Sequence, residues 1–228
     1  MLNMKKSYLI IFAVLIMIFL WAISPFGIFD VFNKRKINLD KQTTQVIKNE
    51  IKEKNIVYPI QQTRLIIHKQ EQLSEVWITD KNNQNHLMFS DSILIENSQI
   101  GTRLYDEESI IPEGIYQIKT VNSKDLSFEI DFPNTFDIEK QKADKRPELT
   151  SNITFAITKN DLQLSKELMT EFLFLAKEAD VKNTQILLFP NDFRSNQPIP
   201  NCLTCPFWIE EIYGSLRVHL NSFSTKIQ

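Results

Sequence analysis

The residues best suited to nucleophilic chemistry are the only two cysteines of the chain, Cys202 and Cys205, which form a lone C-x-x-C pair. A thiolate nucleophile needs a base such as histidine beside it, and a structural zinc site needs about four ligands. A thioredoxin-type motif needs a strand before the first cysteine, whereas residues 191–201 form a Pro- and Asn-rich loop. The sequence favours a structural disulfide between Cys202 and Cys205. Redox activity, metal binding, free thiols and a place in a catalytic cleft stay open.

The three histidines are scattered along the chain, which argues against a shared metal site. His68 is predicted to lie at the surface or edge of a strand, and His86 to open another strand. His219 alternates with Val218 and Leu220, so it is predicted to face solvent from a strand. We therefore expect neither a metal nor another cofactor.

The charge balance argues against a nucleic-acid-binding protein. The 228 residues carry 26 Lys and Arg against 28 Asp and Glu, a net charge of −2. There is no dense basic stretch and no acidic tail, and the acidic run at residues 106–108 predicts a solvated loop. Charged residues make up 24 % of the chain and aromatic residues 11 %, which is ordinary for one folded domain.

Residues 7–29 predict a transmembrane anchor. Residues 8–23 carry no charge, and with the residues that follow they make an apolar stretch of about 22 residues, enough to span a bilayer. A cleaved signal peptide is the alternative. It is disfavoured because the apolar run is long and because Pro25 follows the one small-x-small site.

The anchor divides the chain into four predicted segments. A tail of residues 1–6 precedes the anchor, a stalk or linker of residues 30–60 follows it, and residues 61–228 form the folded domain. Helical spacing of apolar residues within residues 38–54 predicts that the stalk is helical. Basic residues flank the anchor on both sides, so the positive-inside rule leaves the orientation open.

A turn at Pro112 and Gly114 separates a charged loop from a strand. Pro112 fixes φ near −65° and Gly114 tolerates positive φ, so the chain can reverse there. Ile115 and Tyr116 then open a β-type run. Alternation of apolar and polar residues at 126–132 predicts a half-buried strand. Further short apolar runs predict strands at 64–68, 75–79, 86–89, 92–95, 153–158 and 185–189.

One packed helix is predicted from about residue 162 to residue 179, with Asn160 or Asp161 as its N-cap. Its apolar residues recur every three or four positions, so it is expected to pack on the sheet. A short helix at 207–216 and a last strand at 217–220 follow, and residues 140–147 are predicted as a surface loop. The fold class is therefore mainly β with α (α+β), with one solid helix.

Four strings resemble the L,D-transpeptidase catalytic domain of the YkuD or ErfK type. They are P-E-G-I-Y at 112–116, F-P-N-T-F-D at 132–137, F-A-I-T at 155–158 and I-L-L-F-P at 186–190. The resemblance covers about residues 63–193. It implies a β-sandwich or sheet with one packed helix, and a bacterial cell-wall (peptidoglycan) setting.

The motif that performs the family's chemistry is missing. Members carry H-G-x(n)-S-x-G-C, in which the cysteine thiolate attacks a stem-peptide carbonyl and the histidine serves as its base. Here the cysteine position falls on Thr154 and the glycine on Ile153, while Ser151 matches the motif serine. The His-Gly pair falls near Arg146 and Pro147. Threonine needs a strong base or a free N-terminal amine beside it to act as a nucleophile, and the sequence offers neither. The resemblance thus implies the fold and the wall setting, and the departure argues against the reaction.

The resemblance also implies that Pro112, Glu113, Gly114 and Tyr116 line a substrate cleft. The leading hypothesis is a single-pass inner-membrane protein with its domain outside the cytoplasm. It would bind peptidoglycan stem peptides or a cell-wall protein without catalysis. Two alternatives remain: an active L,D-transpeptidase-type acyltransferase with a relocated nucleophile, and a C-x-x-C thiol–disulfide protein.

Overall fold

The computed structural model describes residues 41–158, 161–194, 202, 205–221 and 223, which belong to one compact unit. The predicted tail and anchor and the candidate cap Asn160 lie outside the described residues. Within the described part, no helix is long and apolar enough to cross a membrane.

A nine-stranded mixed sheet forms the frame of this unit. Its order is β3-β2-β1-β9-β5-β6-β7-β8-β4, with β1 parallel to β9, β7 parallel to β8 and the other neighbours antiparallel. The strands are β1 (Gln62–His68), β2 (Leu73–Thr79), β3 (Asn85–Ser92), β4 (Leu94–Ile95), β5 (Gly114–Asn122), β6 (Ser127–Ile130), β7 (Thr154–Ala156), β8 (Leu162–Gln163) and β9 (Thr184–Phe189).

The sheet is nearly closed on itself. Its two edge strands, β3 and β4, are separated in the chain by Ile93 alone, which is buried. The backbone N–H of Ile93 donates to the carbonyl of Gln72, 2.9 Å away. Closure of this kind leaves little free strand edge for pairing with another chain.

Four helices lie among the described residues, where the sequence predicted a helical stalk, one solid helix and a short helix at 207–216; the helix that was not predicted is the one at Thr135–Ala143. The four helices are α1 (Lys41–Glu53), α2 (Thr135–Ala143), α3 (Lys166–Glu178) and α4 (Ile209–Asn221), with a 3₁₀ turn at Val181–Asn183. The architecture is mixed α+β. Two of the helices cover sheet strands: α3 contacts β1, and α4 contacts β5 and β9.

Helix α3 begins later than the sequence predicted. Its N-cap is Ser165, whose hydroxyl accepts a hydrogen bond from the amide of Leu168, rather than Asn160 or Asp161. Leu162 belongs to β8, where it pairs with Phe155 of β7. The prediction failed because the helical stripe begins only at Leu164, and the two residues of β8 are too few to show the alternation of a strand.

The segment 217–220 is helical, so the predicted last strand was wrong. Leu216 and Leu220 are buried while Val218 is 72 % exposed, which is the four-residue period of a helix. The buried face of α4 packs on Trp77 of β2 and Phe189 of β9. His219 therefore lies on a helix, with its Nδ1 3.0 Å from the carbonyl oxygen of Ser215.

The segment 140–147 is also partly helical, because α2 runs to Ala143. Asn134 and Asp137 form a capping box, in which each side chain accepts a hydrogen bond from the backbone N–H of the other. A capping box satisfies two of the free N–H groups at a helix start. The sequence identified Asn134 only as a member of the F-P-N-T-F-D string.

Helix α1 contacts α3 and buries Ile47 and Ile51. The predicted stalk at residues 30–60 thus contains a helix that is part of the compact unit.

An aromatic cluster packs α3 on the other half of the sheet. The ring centroid of Phe128 on β6 lies 4.5 Å from that of Phe155 on β7 and 5.3 Å from that of Phe172 on α3.

The helical assignment of 217–220 predicts two different costs for truncating neighbouring side chains. Leu216→Ala should lower the free energy of unfolding by about 2–5 kcal/mol, because it removes a fully buried side chain. The matched change Val218→Ala on the exposed face should alter it by less than about 0.5 kcal/mol. Denaturation followed by tryptophan fluorescence measures both. Equal costs for the two variants would fit a strand and contradict the helix.

Candidate functional site

A buried ion pair lies directly under the P-E-G turn. The ammonium of Lys69, just after β1, is 3.0 Å from Oε1 of Glu113, and both side chains are 0 % exposed. The same ammonium donates to the carbonyl oxygens of Gly101 at 3.1 Å and Ile111 at 2.8 Å. All three ammonium donors are therefore satisfied, as a buried charge requires. Burial lowers the pKa of Lys69, and the Glu113 carboxylate opposes that shift.

The Glu113 carboxylate binds two further donors. The backbone N–H of Gly101 donates to Oε1 at 2.8 Å, and the hydroxyl of Tyr213 on α4 donates to Oε2 at 2.7 Å. One side chain thus joins the end of β1, the loop at residue 101 and α4. Glu113 was expected to line a substrate cleft. It does border the cavity beside the turn, but its carboxylate oxygens accept hydrogen bonds from the protein itself.

Sequence reasoning missed Gly101 of this network, as it missed Lys69 and Tyr213. The φ of Gly101 is +115°, and a Cβ built there would lie 3.1 Å from Sγ of Cys205 and 3.3 Å from Sγ of Cys202. Cys202 and Cys205 form a disulfide that packs against this glycine. The available signal was its type, since the chain has only four glycines and a glycine at a fixed loop position often marks close approach or positive φ.

A cavity of about 170 Å³ opens beside the turn. Gly114, Ile115 and Tyr116 of β5 form one wall, and the first residues of α2 form another. Ile212 and Glu211 of α4 close the third side. Its volume is below the roughly 300–1,000 Å³ of typical small-molecule sites, so it accommodates one short side chain rather than a whole peptide.

Two of the strings identified in the sequence meet at this cavity. The Asn134 side-chain amide of F-P-N-T-F-D donates to the carbonyl oxygen of Ile115 in P-E-G-I-Y at 3.2 Å. Asp137, the last residue of the former string, lines the cavity together with Tyr116 of the latter. Pro112 is buried and is not part of the cavity wall. Gly114 has φ +149°, as the turn prediction required.

The charged side chains that line the cavity are all acidic. Burial raises the pKa of Asp137 to about 6, against opposing hydrogen bonds from Asn134 and Tyr116. Burial also raises the pKa of the Tyr116 hydroxyl. At the rim, both Glu211 carboxylate oxygens lie 2.7 Å from the ammonium of Lys140. That ammonium is also 5.1 Å from the centroid of the Phe136 ring, within cation–π range.

The positions that match the missing catalytic motif make structural contacts. Arg146 donates to the carbonyl of Leu104 at 2.9 Å and pairs with Asp144 at 3.1 Å. The backbone N–H of Ser151 donates to Asp106 at 3.0 Å. These contacts attach the loop around residues 104–106 to the segment before β7.

Asp106 is the centre of that attachment, and the run at residues 106–108 is thus more than a solvated loop. It accepts the Thr150 hydroxyl at 2.6 Å and the Thr150 amide at 3.0 Å. These bonds hold the pKa of Asp106 well below its usual range, and the bond from the Thr150 hydroxyl makes the largest contribution.

Thr154, at the position of the motif cysteine, is a strand residue. It pairs with Glu129 of β6, and its backbone N–H donates to Oδ2 of Asp161 at 2.9 Å.

The histidines lie on other elements. His68 is fully buried on β1, so the prediction of a surface or edge residue was wrong. Its Nε2 lies 3.3 Å from Arg194 and 3.9 Å from Glu75, and burial lowers its pKa. His86 on β3 pairs with Asp80 at 3.3 Å. Among the described residues, no group of three or more His, Cys, Asp or Glu side chains is arranged to hold a metal ion.

Comparison with known proteins gives distant structural likenesses. No protein-family description and no curated protein matches the chain. The crystal structure of the helical cell shape determining protein Pgp2 from Campylobacter jejuni is similar, with 12 % identity and a TM-score of 0.42, over 62 % of this chain and 54 % of that one. The structure of Bdellovibrio bacteriovorus Bd1075 gives 18 % identity and a TM-score of 0.40, over 58 % and 49 %. The chain spans about half the length of these structures, and at these values the likeness assigns neither a family nor an activity.

Removing one member of the buried ion pair is predicted to be costly. Glu113→Gln should lower the free energy of unfolding by about 3–5 kcal/mol, because it leaves the Lys69 ammonium buried without a counter-charge. The double variant Lys69→Met with Glu113→Gln should cost clearly less than the sum of the two single changes, since neither charge is then left alone. Denaturation of the four proteins gives the cycle. Additive costs would contradict the coupling.

Asp137 predicts a pH dependence of stability. Its pKa is raised from 3.8 to about 6 in the folded protein, so the stability that its protonation supplies is fully present below about pH 4 and is lost as pH rises through about 6. In the unmodified protein the free energy of unfolding should fall by up to about 3 kcal/mol between pH 4 and pH 6, at about 1.4 kcal/mol per pH unit. Asp137→Asn should abolish that fall, because the asparagine does not titrate.

The control for that change is Glu139→Gln, an exposed carboxylate on the same helix, which should leave the pH profile unchanged. Denaturation midpoints measured between pH 4 and 7.5 test the difference. An Asp137→Asn profile that runs parallel to that of the unmodified protein would show that Asp137 titrates normally.

Proposed function

We propose that this chain is a membrane-anchored cell-wall protein whose L,D-transpeptidase-like domain binds an amine-bearing stem peptide without catalysing its transfer. The observation that carries the proposal is that the chain has only two cysteines and that they are joined in a disulfide. A disulfide sulfur cannot provide the thiolate that attacks a peptide carbonyl.

The residue at the position of the motif cysteine does not replace it. A threonine hydroxyl needs a base within hydrogen-bond reach to act as a nucleophile. His68 contacts Arg194 instead, and His86 contacts Asp80. The backbone N–H of Thr154 donates to the carboxylate of Asp161. The arrangement around Thr154 therefore favours a strand residue rather than a catalytic one.

The cavity beside the turn offers the chemistry of a short alkyl ammonium site. Ile115, Phe136 and Ile212 supply apolar walls, which suit a methylene chain. Asp137 lies within the cavity, and Glu211 lies at its rim. Once ionised above about pH 6, the carboxylate of Asp137 is a partner for an ammonium group in a site of low polarity.

The placement outside the cytoplasm is supported by the disulfide, because such bonds persist in oxidising compartments and are rare in the cytosol. The apolar run at residues 7–29 is the proposed anchor in the inner membrane. A topology reporter fused after Gln228 reads the orientation directly.

Binding of a stem peptide with a free side-chain amine to the full-length chain in detergent tests the proposal. The amine peptide should bind above pH 6 and weaken as Asp137 becomes protonated, and the same peptide with its amine acetylated should bind at least tenfold more weakly. Asp137→Asn should reproduce that loss. Glu210→Gln, an exposed change on α4 outside the cavity, is the matched control.

The same mixtures report on catalysis. Analysis of the peptides should find no cross-linked or trimmed product. Product that disappears in Thr154→Ala would overturn the non-catalytic assignment. Product that disappears when Cys202 or Cys205 is replaced would instead favour a relocated thiol nucleophile.

A further inference from the structure

A second pocket lies at the opposite end of the parallel pair β1 and β9, where both strands begin. Its volume is about 480 Å³. It is lined by Gln61 and Gln62 at the start of β1, Thr79 at the end of β2, Asn83 and Asn85 at the turn into β3, and Asn183 before β9, around the side chain of Arg64. None of these residues lines the cavity at the P-E-G turn.

The guanidinium of Arg64 is held in place by neutral partners. Its Nε donates to Oε1 of Gln185 at 3.2 Å, one Nη donates to the Thr79 hydroxyl at 2.8 Å, and the other donates to Oε1 of Gln62. The guanidinium carbon also lies 4.7 Å from the centroid of the Phe223 ring. A guanidinium carries five N–H donors in a rigid plane, so after these three bonds two donors have no acceptor among the residues that the structure describes.

Among the described residues, no acidic side chain forms an ion pair with Arg64. Within that part of the chain, its hydrogen bonds go to an amide or a hydroxyl. Burial lowers its pKa to about 10, with no acidic neighbour opposing the shift. A partly buried charge held by amides and left unpaired is an unfavourable arrangement for stability alone.

The rest of the lining restricts the ligand that this charge can accept. The six other residues are amides and one hydroxyl. Such groups donate to and accept from hydroxyl and acetamido groups, and no aliphatic or aromatic side chain is among them. A single guanidinium balances one negative charge, which fits a carboxylate better than a phosphate of charge near −2.

We propose that this pocket binds a carboxylate-bearing sugar, with the two remaining N–H donors of Arg64 directed at the carboxylate and the amides of the pocket bound to the sugar hydroxyl groups. The assignment goes beyond peptide binding at the P-E-G turn and does not depend on it. The volume of the pocket suits a ligand the size of one sugar ring.

Calorimetric titration of the full-length chain in detergent tests this assignment with three probes. N-acetylmuramic acid carries the carboxylate, N-acetylglucosamine is the same sugar without it, and N-acetyl-alanyl-alanine carries a carboxylate without a sugar. The sugar acid should bind at least tenfold more tightly than either of the other two. Equal affinity of the two sugars, stronger binding of the dipeptide, or no saturable binding of the sugar acid at millimolar concentration would each overturn the proposal.

Two variants assign the effect to the pocket. Arg64→Gln should weaken binding of the sugar acid at least tenfold, and Arg217→Gln, which changes an exposed arginine of α4, should leave it unchanged. Should Arg64→Gln fail to fold, Gln61→Glu at the exposed rim places a negative charge beside the ligand. That variant should weaken binding of the sugar acid severalfold and leave the neutral sugar unaffected. Unchanged binding of the sugar acid in Gln61→Glu would contradict the proposed location.

Discussion

The ion pair between Lys69 and Glu113 is the interaction on which the arrangement of this domain depends. Two charges with no solvent exposure are tolerated only when each is fully hydrogen-bonded. That condition fixes the loop at Gly101, the turn before β5 and Tyr213 of α4 around one carboxylate. The disulfide between Cys202 and Cys205 packs on the same glycine. The disulfide therefore supports the backbone around the Lys69–Glu113 ion pair.

The residues of the P-E-G turn consequently have two tasks. Glu113 bonds to the interior through its carboxylate, while Gly114 and Tyr116 form the wall of a small cavity. The F-P-N-T-F-D string has the same double character, since Asn134 caps α2 and also binds the carbonyl of Ile115. Both strings make packing and capping contacts that need no catalytic group. Their presence therefore does not require a nucleophile at the position of Thr154, the first residue of β7.

Local patterns in the sequence predicted most of the strands and the turn, because alternation over several residues and the turn chemistry of Pro and Gly act locally. The partners of Glu113 were not predictable in this way. Lys69 is 44 residues away in the chain and Tyr213 is 100 residues away. Helix α4 was partly missed because its last turn, read over only four residues, fits alternation as well as helical spacing. The Arg64 pocket likewise collects neutral amides from four strands or their connecting turns, and no single stretch of sequence carries that pattern.

We propose a peptide-binding domain that lacks an acylating nucleophile, and intact-mass spectrometry would detect such a nucleophile. The full-length chain is incubated with an acylating β-lactam that reacts with thiol and hydroxyl nucleophiles, and its mass is recorded before and after disulfide reduction. We expect the mass of the oxidised protein to remain that of the free chain. A stoichiometric adduct on the oxidised protein that maps to Thr154 would show that the domain has an acylating nucleophile.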